Sequence, residues 1–144
     1  MIRQANKYDK IQIIELMKCF RKESQIQEYQ NLENETYWNS LLDSILAGQG
    51  VVYLEDNVGL IMALITPTIW CNKTLAMHEL AWYVKPEHRG GTVGYRLLKA
   101  YVDYGKQLKA DGRIKMFTMT KMVTSPDLKY DRFGFRKLDE NWVQ

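Results

Sequence analysis

Cysteine and histidine are both scarce in this sequence, with two of each among 144 residues. Cys19 and Cys71 are too few for a disulfide scaffold and have no metal-ligand spacing. They read as ordinary buried thiols of a reducing cytoplasm, and with only His78 and His88 beside them no metal site is expected. Long apolar runs are missing as well. None approaches the ~20 residues that a membrane span requires, so no membrane partner is expected. The opening MIRQANKYDK lacks the basic-then-apolar pattern of an export signal, which again favours the cytoplasm. There is no repeat, low-complexity stretch or linker, and the length suits one compact domain over residues 1–144. Basic side chains are absent from a long stretch: Glu23 to Asn72 holds seven Asp and Glu and neither Lys nor Arg.

Hydrophobic residues make up 46% of the chain and charged residues 26%, the balance of a soluble globular protein. Net charge is +3 and unevenly spread, since from Lys85 to the end thirteen Lys and Arg stand against seven Asp and Glu. Such a split reads in two ways. Either two solvated faces happen to differ, or a basic half holds an anionic cofactor while an acidic half meets a cationic substrate.

The patterning predicts a short strand over Ile2 to Ala5. An amphipathic helix follows over Lys7 to Lys22, with Ile11, Ile14, Leu16, Met17 and Phe20 apolar and Asn6 or Asp9 as N-cap. Glu23 to Glu33 reads as loop. A second helix is expected over Asn34 to Ala47, apolar at Tyr37, Trp38, Leu41, Leu42, Ile45 and Leu46 and stopped by Gly48. Val51 to Leu54 and Leu60 to Thr66 make a hairpin across Asp56-Asn57, and Leu75 to Val84 is the long strand of the sheet. A third helix covers roughly Thr92 to Ala110, and Met116 to Thr120 alternates like a strand. Ser125-Pro126-Asp127 opens a short helix to Phe133, and Phe135 to Val143 closes as a final strand. The sum is an α+β fold with a mixed sheet.

The chain is organised around Val84 to Leu98, VKPEHRGGTVGYRLL. A strand, a glycine-bearing turn and a helix in that order leave the amides of the helix's first turn without partners. Together with the positive end of the helix dipole they suit an anion such as a pyrophosphate.

Arg89-Gly90-Gly91-Thr92-Val93-Gly94 resembles the acetyl-CoA motif Gln/Arg-x-x-Gly-x-Gly/Ala of the GCN5-related N-acetyltransferase (GNAT) superfamily. Arg89 fills the first position and Gly94 the last, while Thr92 stands where the middle glycine is usual. Tyr130-Asp131-Arg132-Phe133-Gly134-Phe135 resembles the Tyr-x-x-x-Gly-Phe signature of the same family. Element order agrees over essentially the whole chain. Glu79-Leu80-Ala81-Trp82-Tyr83-Val84 and the loop are also similar to a subset found in bacteriophage genomes, which would place the protein in a host cytoplasm. The family's usual Asn between the fifth strand and the short helix is not evident from Val123 to Pro126.

The resemblance implies a mostly antiparallel sheet, splayed at the acetyl-CoA site, with helices on both faces. It implies acetyl-CoA lying with its pyrophosphate on the amides of Gly90, Gly91, Thr92, Val93, Gly94 and Tyr95. The Thr92 hydroxyl could add a phosphate hydrogen bond. Arg89 and Lys85 would offset phosphate charge, with Arg96 or Lys99 reaching the ribose phosphate. The pantetheine would pair with the backbone of Trp82, Tyr83 and Val84, where an amide also polarises the thioester carbonyl and stabilises the oxyanion. Glu79 is the implied base, directly or through water, with His78 in reserve, and Tyr130 the implied acid. Alternation on a strand lets only one of His78 and Glu79 face the substrate. Glu79 as a simple ion-pair partner and Tyr130 as a packing residue are the structural alternatives. The expected activity is acetyl transfer to a primary amine, either a small cationic molecule or a protein lysine or N-terminus. The alternative is a catalytically weak or inactive binding module on the same fold. Nucleic acid is not the expected partner, although Lys99, Lys106, Lys109, Arg113 and Lys115 could form a basic patch, and a homodimer is left open.

Overall fold

In the computed structural model of residues 1–144 the elements follow in the order β1 (Arg3–Gln4), α1 (Lys10–Glu23), α2 (Glu35–Ser44), β2 (Gly50–Glu55), β3 (Gly59–Thr68), β4 (Cys71–Val84), α3 (Val93–Ala110) and β5 (Met116–Thr118). The strands form one sheet in the same order, antiparallel except for the parallel β4–β5 pair. This is the expected α+β architecture, mixed and mostly antiparallel.

Alternation along the strands divides the core in two. On one face Val52, Leu54, Leu60, Met62 and Tyr83 pack under Ile13, Ile14 and Leu16 of α1 and Leu42 of α2. On the other, Val51, Ile61, Ala63 and Met77 pack under Leu97, Leu98, Tyr101, Val102 and Leu108 of α3. The α3 positions recur at helical spacing, so one stripe of that helix is dry and the opposite side carries its charges. Helices therefore cover both faces. Ile11 and Tyr37, expected on inner faces, are exposed.

The N-terminal turn uses both candidate caps. The Asn6 side chain accepts from Tyr8 N–H, and the Asp9 carboxylate accepts the Asn6 N–H, a reciprocal box in front of α1. Asp9 is also clamped by both terminal nitrogens of Arg3, which hold its carboxyl down at about 2. Gly48, at φ 116°, ends the α2 region as expected.

Four expectations are corrected. Phe135 to Val143 is not a strand. Phe135 is anchored by its N–H to the Tyr130 carbonyl and by its ring, edge-on to Phe117 at 5.6 Å. Beyond it Leu138, Trp142 and Val143 are exposed, so no buried face fixes a register. The helix expected from Ser125 to Phe133 is only a 3-10 turn, Tyr130–Phe133, closed by Gly134 in the left-handed region at φ 89°. β5 stops at Thr118 because the Thr120 amide turns to a side chain instead of to the sheet. Cys19 and Cys71 are exposed and not buried: one lies on the outer side of α1, the other opens β4 at the hairpin tip.

α3 approaches β5 closely at Gly105, where a Cβ would fall 2.6 Å from carbons of the Phe117 ring. Gly105→Ala is expected to destabilise the fold by ~1–3 kcal/mol through overpacking, read as a lower thermal midpoint. An unchanged midpoint would mean that the ring turns aside freely.

Candidate active site

β4 outruns its neighbour. β5 pairs only with Ala76, Met77 and His78, so from Glu79 onward that edge of β4 has no partner strand. A bulge adds to the opening: Ala63 faces Glu79 and Met62 faces Ala81, leaving Leu80 unpaired on β3. The extra residue resets the alternation. Trp82 and Val84 pack with α3, whereas Ala81 and Tyr83 pack with α1.

At the end of this open edge the chain enters a 3-10 turn over Pro86–His88 and then the glycine loop. The Arg89 amide donates back to Pro86 and the Arg96 amide to Thr92, but the six amides from Gly90 to Tyr95 donate to nothing in the chain. Gly90 adopts φ 89°, and a Cβ at Gly90 or Gly91 would meet only open space. Thr92 sits at φ −103°, ψ −1°, a negative-φ conformation open to a residue with a side chain, so the loop does not require glycine there. No side chain caps α3, which leaves its positive end open. Six unpartnered donors, open space above two glycines and an uncapped helix dipole fit a diphosphate.

The cations expected on the phosphates are partly committed elsewhere. Arg89 forks onto Glu23 at the end of α1 (2.6 and 2.9 Å), gives its Nε–H to the Val84 carbonyl at 2.8 Å, and lies 5.5 Å from the centre of the Tyr83 ring. It holds Glu23 below the usual carboxylate range. Arg89 is thus a clasp between α1 and the loop. Arg96 pairs with Glu55 and Lys99 with Asp103, while Lys85 pairs with no carboxylate. The acidic stretch is likewise mostly satisfied. Glu23, Glu33, Glu35, Asp43, Glu55 and Asp56 all meet cations of this chain.

His78 and Glu79 separate as alternation requires. The His78 ring is 2.7 Å from the Thr118 hydroxyl on β5. Glu79 is buried, its Oε2 accepts the Thr120 N–H at 3.0 Å, and burial raises its pKa from 4.5 to about 7 against that hydrogen bond. Tyr101 of α3 donates its hydroxyl to the Thr118 carbonyl, and burial followed by the nearby Glu79 charge pushes its pKa far up. Tyr130 is raised by burial, then by Asp127 and Glu79. The Tyr95 ring tilts against Phe133 at 5.8 Å, tying the first turn of α3 to the turn that carries Tyr130. The loop, the open edge of β4, Glu79 and the Tyr130 turn therefore belong to one region. Glu23, Tyr101 and Thr120 complete it, and sequence reading missed all three. Glu23 stood in a loop, Tyr101 read as one of the α3 apolar stripe, and a main-chain donor leaves no compositional trace.

A model of the acetyltransferase (GNAT) family matches residues 11–135. No curated protein sequence matches. Among solved structures, a predicted acetyltransferase of Clostridium acetobutylicum with acetyl-CoA has a TM-score of 0.73 at 18% identity, covering 100% of this chain and 94% of that one. An acetyltransferase of Trypanosoma brucei gives 0.66 at 18% identity, covering 100% and 97%. An aminoglycoside acetyltransferase from an uncultured soil metagenomic sample gives 0.67 at 15% identity, covering 100% and 96%. At these identities the structures speak for the fold. None of these comparisons supports the bacteriophage subset. No helix is long and apolar enough to cross a membrane.

Proposed function

The chain belongs to the acetyltransferase (GNAT) family, and on that premise we propose that residues 1–144 form a single N-acetyltransferase domain that moves an acetyl group from acetyl-CoA to a primary amine. The observation that carries this reading is the run of six unpartnered amides, Gly90 to Tyr95, at the end of an open strand edge that also bears a buried carboxyl. Acetyl-CoA supplies an activated thioester, whose sulfur leaves with the bonding electron pair.

The chain's own residues divide the remaining work. The loop amides hold the diphosphate, and Lys85 offsets its charge. Trp82, Tyr83 and Val84 offer main-chain groups along the open edge, and an amide there donates to the thioester oxygen. Glu79 takes the proton of the incoming ammonium, directly or through water. A carboxyl with a pKa of about 7 is poised for this, half ionised at neutral pH and basic enough to accept. The Tyr130 hydroxyl, still protonated well above neutrality, returns a proton to the departing thiolate. His78, hydrogen-bonded toward β5, is not needed as a base.

The acceptor is an amine that the site meets as a cation, a small molecule or a lysine or N-terminus of a protein. With six of its seven acidic residues in internal ion pairs, the Glu23–Asn72 stretch offers only Glu28 unengaged, so selectivity rests on the residues around Glu79 and not on a broad acidic face. Calorimetric titration with acetyl-CoA should give saturable binding. Thiol release should then depend on one member of a panel of polyamines, aminoglycosides and lysine peptides. Binding without release across the panel would leave a donor-binding module, and absence of binding would end both readings.

A further inference from the structure

α3 carries the chain roughly 27 Å from the donor loop, at ~1.5 Å per residue over 18 residues. At that far end lies a cleft of about 420 Å³ between two irregular segments. One is the start of β4, where Cys71 faces Thr68 and Leu75 faces Pro67, so that Asn72, Lys73 and Thr74 bulge from the ladder. The other is the turn from α3 to β5, tied to the bulge by the Lys115 N–H on the Leu75 carbonyl at 2.8 Å. Lys73, Lys109, Arg113 and Lys115 line the cleft, and no acidic residue does.

Like Lys85 and eight other cations of this chain, none of the four meets a carboxylate; what marks them is that they gather around one cleft. The nearest acid in sequence, Asp111, accepts from Gln107 on the helix. Nor are the cations needed to finish α3, whose last carbonyls already accept the amides of Asp111, Gly112 and Arg113. The bulge adds its own donors. The Thr74 hydroxyl, and then the amides of Lys73 and Thr74, lower the pKa of the exposed Cys71 thiol next to the cleft.

We propose that this cleft binds a compact anion carrying two or more phosphate groups, at a site separate from the donor loop. Arg113 offers a planar fork for phosphate oxygens, and the three lysines supply point charges around it. The concavity suits a small polyanion better than a nucleic-acid strand, because no aromatic side chain lines it for a base to stack on.

The test is calorimetry with inorganic triphosphate on the full chain held saturated with coenzyme A, so that the donor loop is already filled. Triphosphate should bind with a stoichiometry near one and weaken as salt rises. The exposed double variant Lys109→Glu, Arg113→Glu should bind it roughly tenfold or more weakly while keeping its coenzyme A affinity. No saturable binding by about 1 mM triphosphate, or binding unchanged in the variant, would overturn the proposal. So would tighter binding of a single-stranded oligonucleotide that triphosphate fails to displace, which would mark a nucleic-acid surface instead.

Discussion

Replacing Glu79 by glutamine is expected to cut amine-dependent kcat/KM by about 10²–10⁴-fold, the usual worth of a positioned general base. The parent should show an ascending pH limb that levels off above about 7, since burial raises the Glu79 pKa to that value and only the carboxylate accepts a proton. The variant should lose the limb as well as the rate. Stability should move the other way. The folded pKa lies above the ordinary 4.5, so the stability that Glu79 contributes is fully present below 4.5 and is lost as pH rises through about 7. Glu79→Gln should therefore melt higher than the parent above neutrality, and the gain should fade at acid pH. A slower but more stable enzyme separates catalysis from folding. Tyr130→Phe, by contrast, should lower turnover while leaving the ascending limb in place. A parent profile flat through neutrality, or an unslowed Glu79→Gln, would remove Glu79 as the base.

That experiment turns on a feature only half legible beforehand. The sequence puts Glu79 on a strand ahead of a glycine loop, and period-two alternation says that Glu79 or His78 faces the site. In the structure they differ in partner. The His78 ring meets the Thr118 hydroxyl, whereas the early end of β5 leaves the Thr120 amide to hydrogen-bond the Glu79 carboxylate, and the bulge at Leu80 follows. Bulges and strand ends depend on partners distant in the chain, and no local pattern encodes them. The same holds for Arg89. Its place in the motif pointed to phosphate, but its fork lies on Glu23, sixty-six residues away. The long amphipathic elements α1 and α3 and the β2–β3 hairpin were readable because each buries one face under a fixed period. The C-terminal segment has no face to bury, and the strand expected from Phe135 to Val143 does not form.

The loop itself admits an equally sharp result. Gly91→Glu is expected to weaken acetyl-CoA binding by roughly a hundredfold or more, because like charges brought together at an interface cost several kcal/mol. The substitution is chosen for its neutrality to the fold. Gly91 does not require a positive φ, and its missing Cβ faces open space, so the variant should match the parent in thermal midpoint. Its carboxylate would compete for the amides between Gly90 and Tyr95 and repel the diphosphate proposed to lie there. Gly91→Ala controls for bulk alone and should bind nearly as the parent does. The three proteins together distinguish charge from shape. If Gly91→Glu binds acetyl-CoA as tightly as Gly91→Ala, the diphosphate does not sit on this loop, and the six free amides need another explanation.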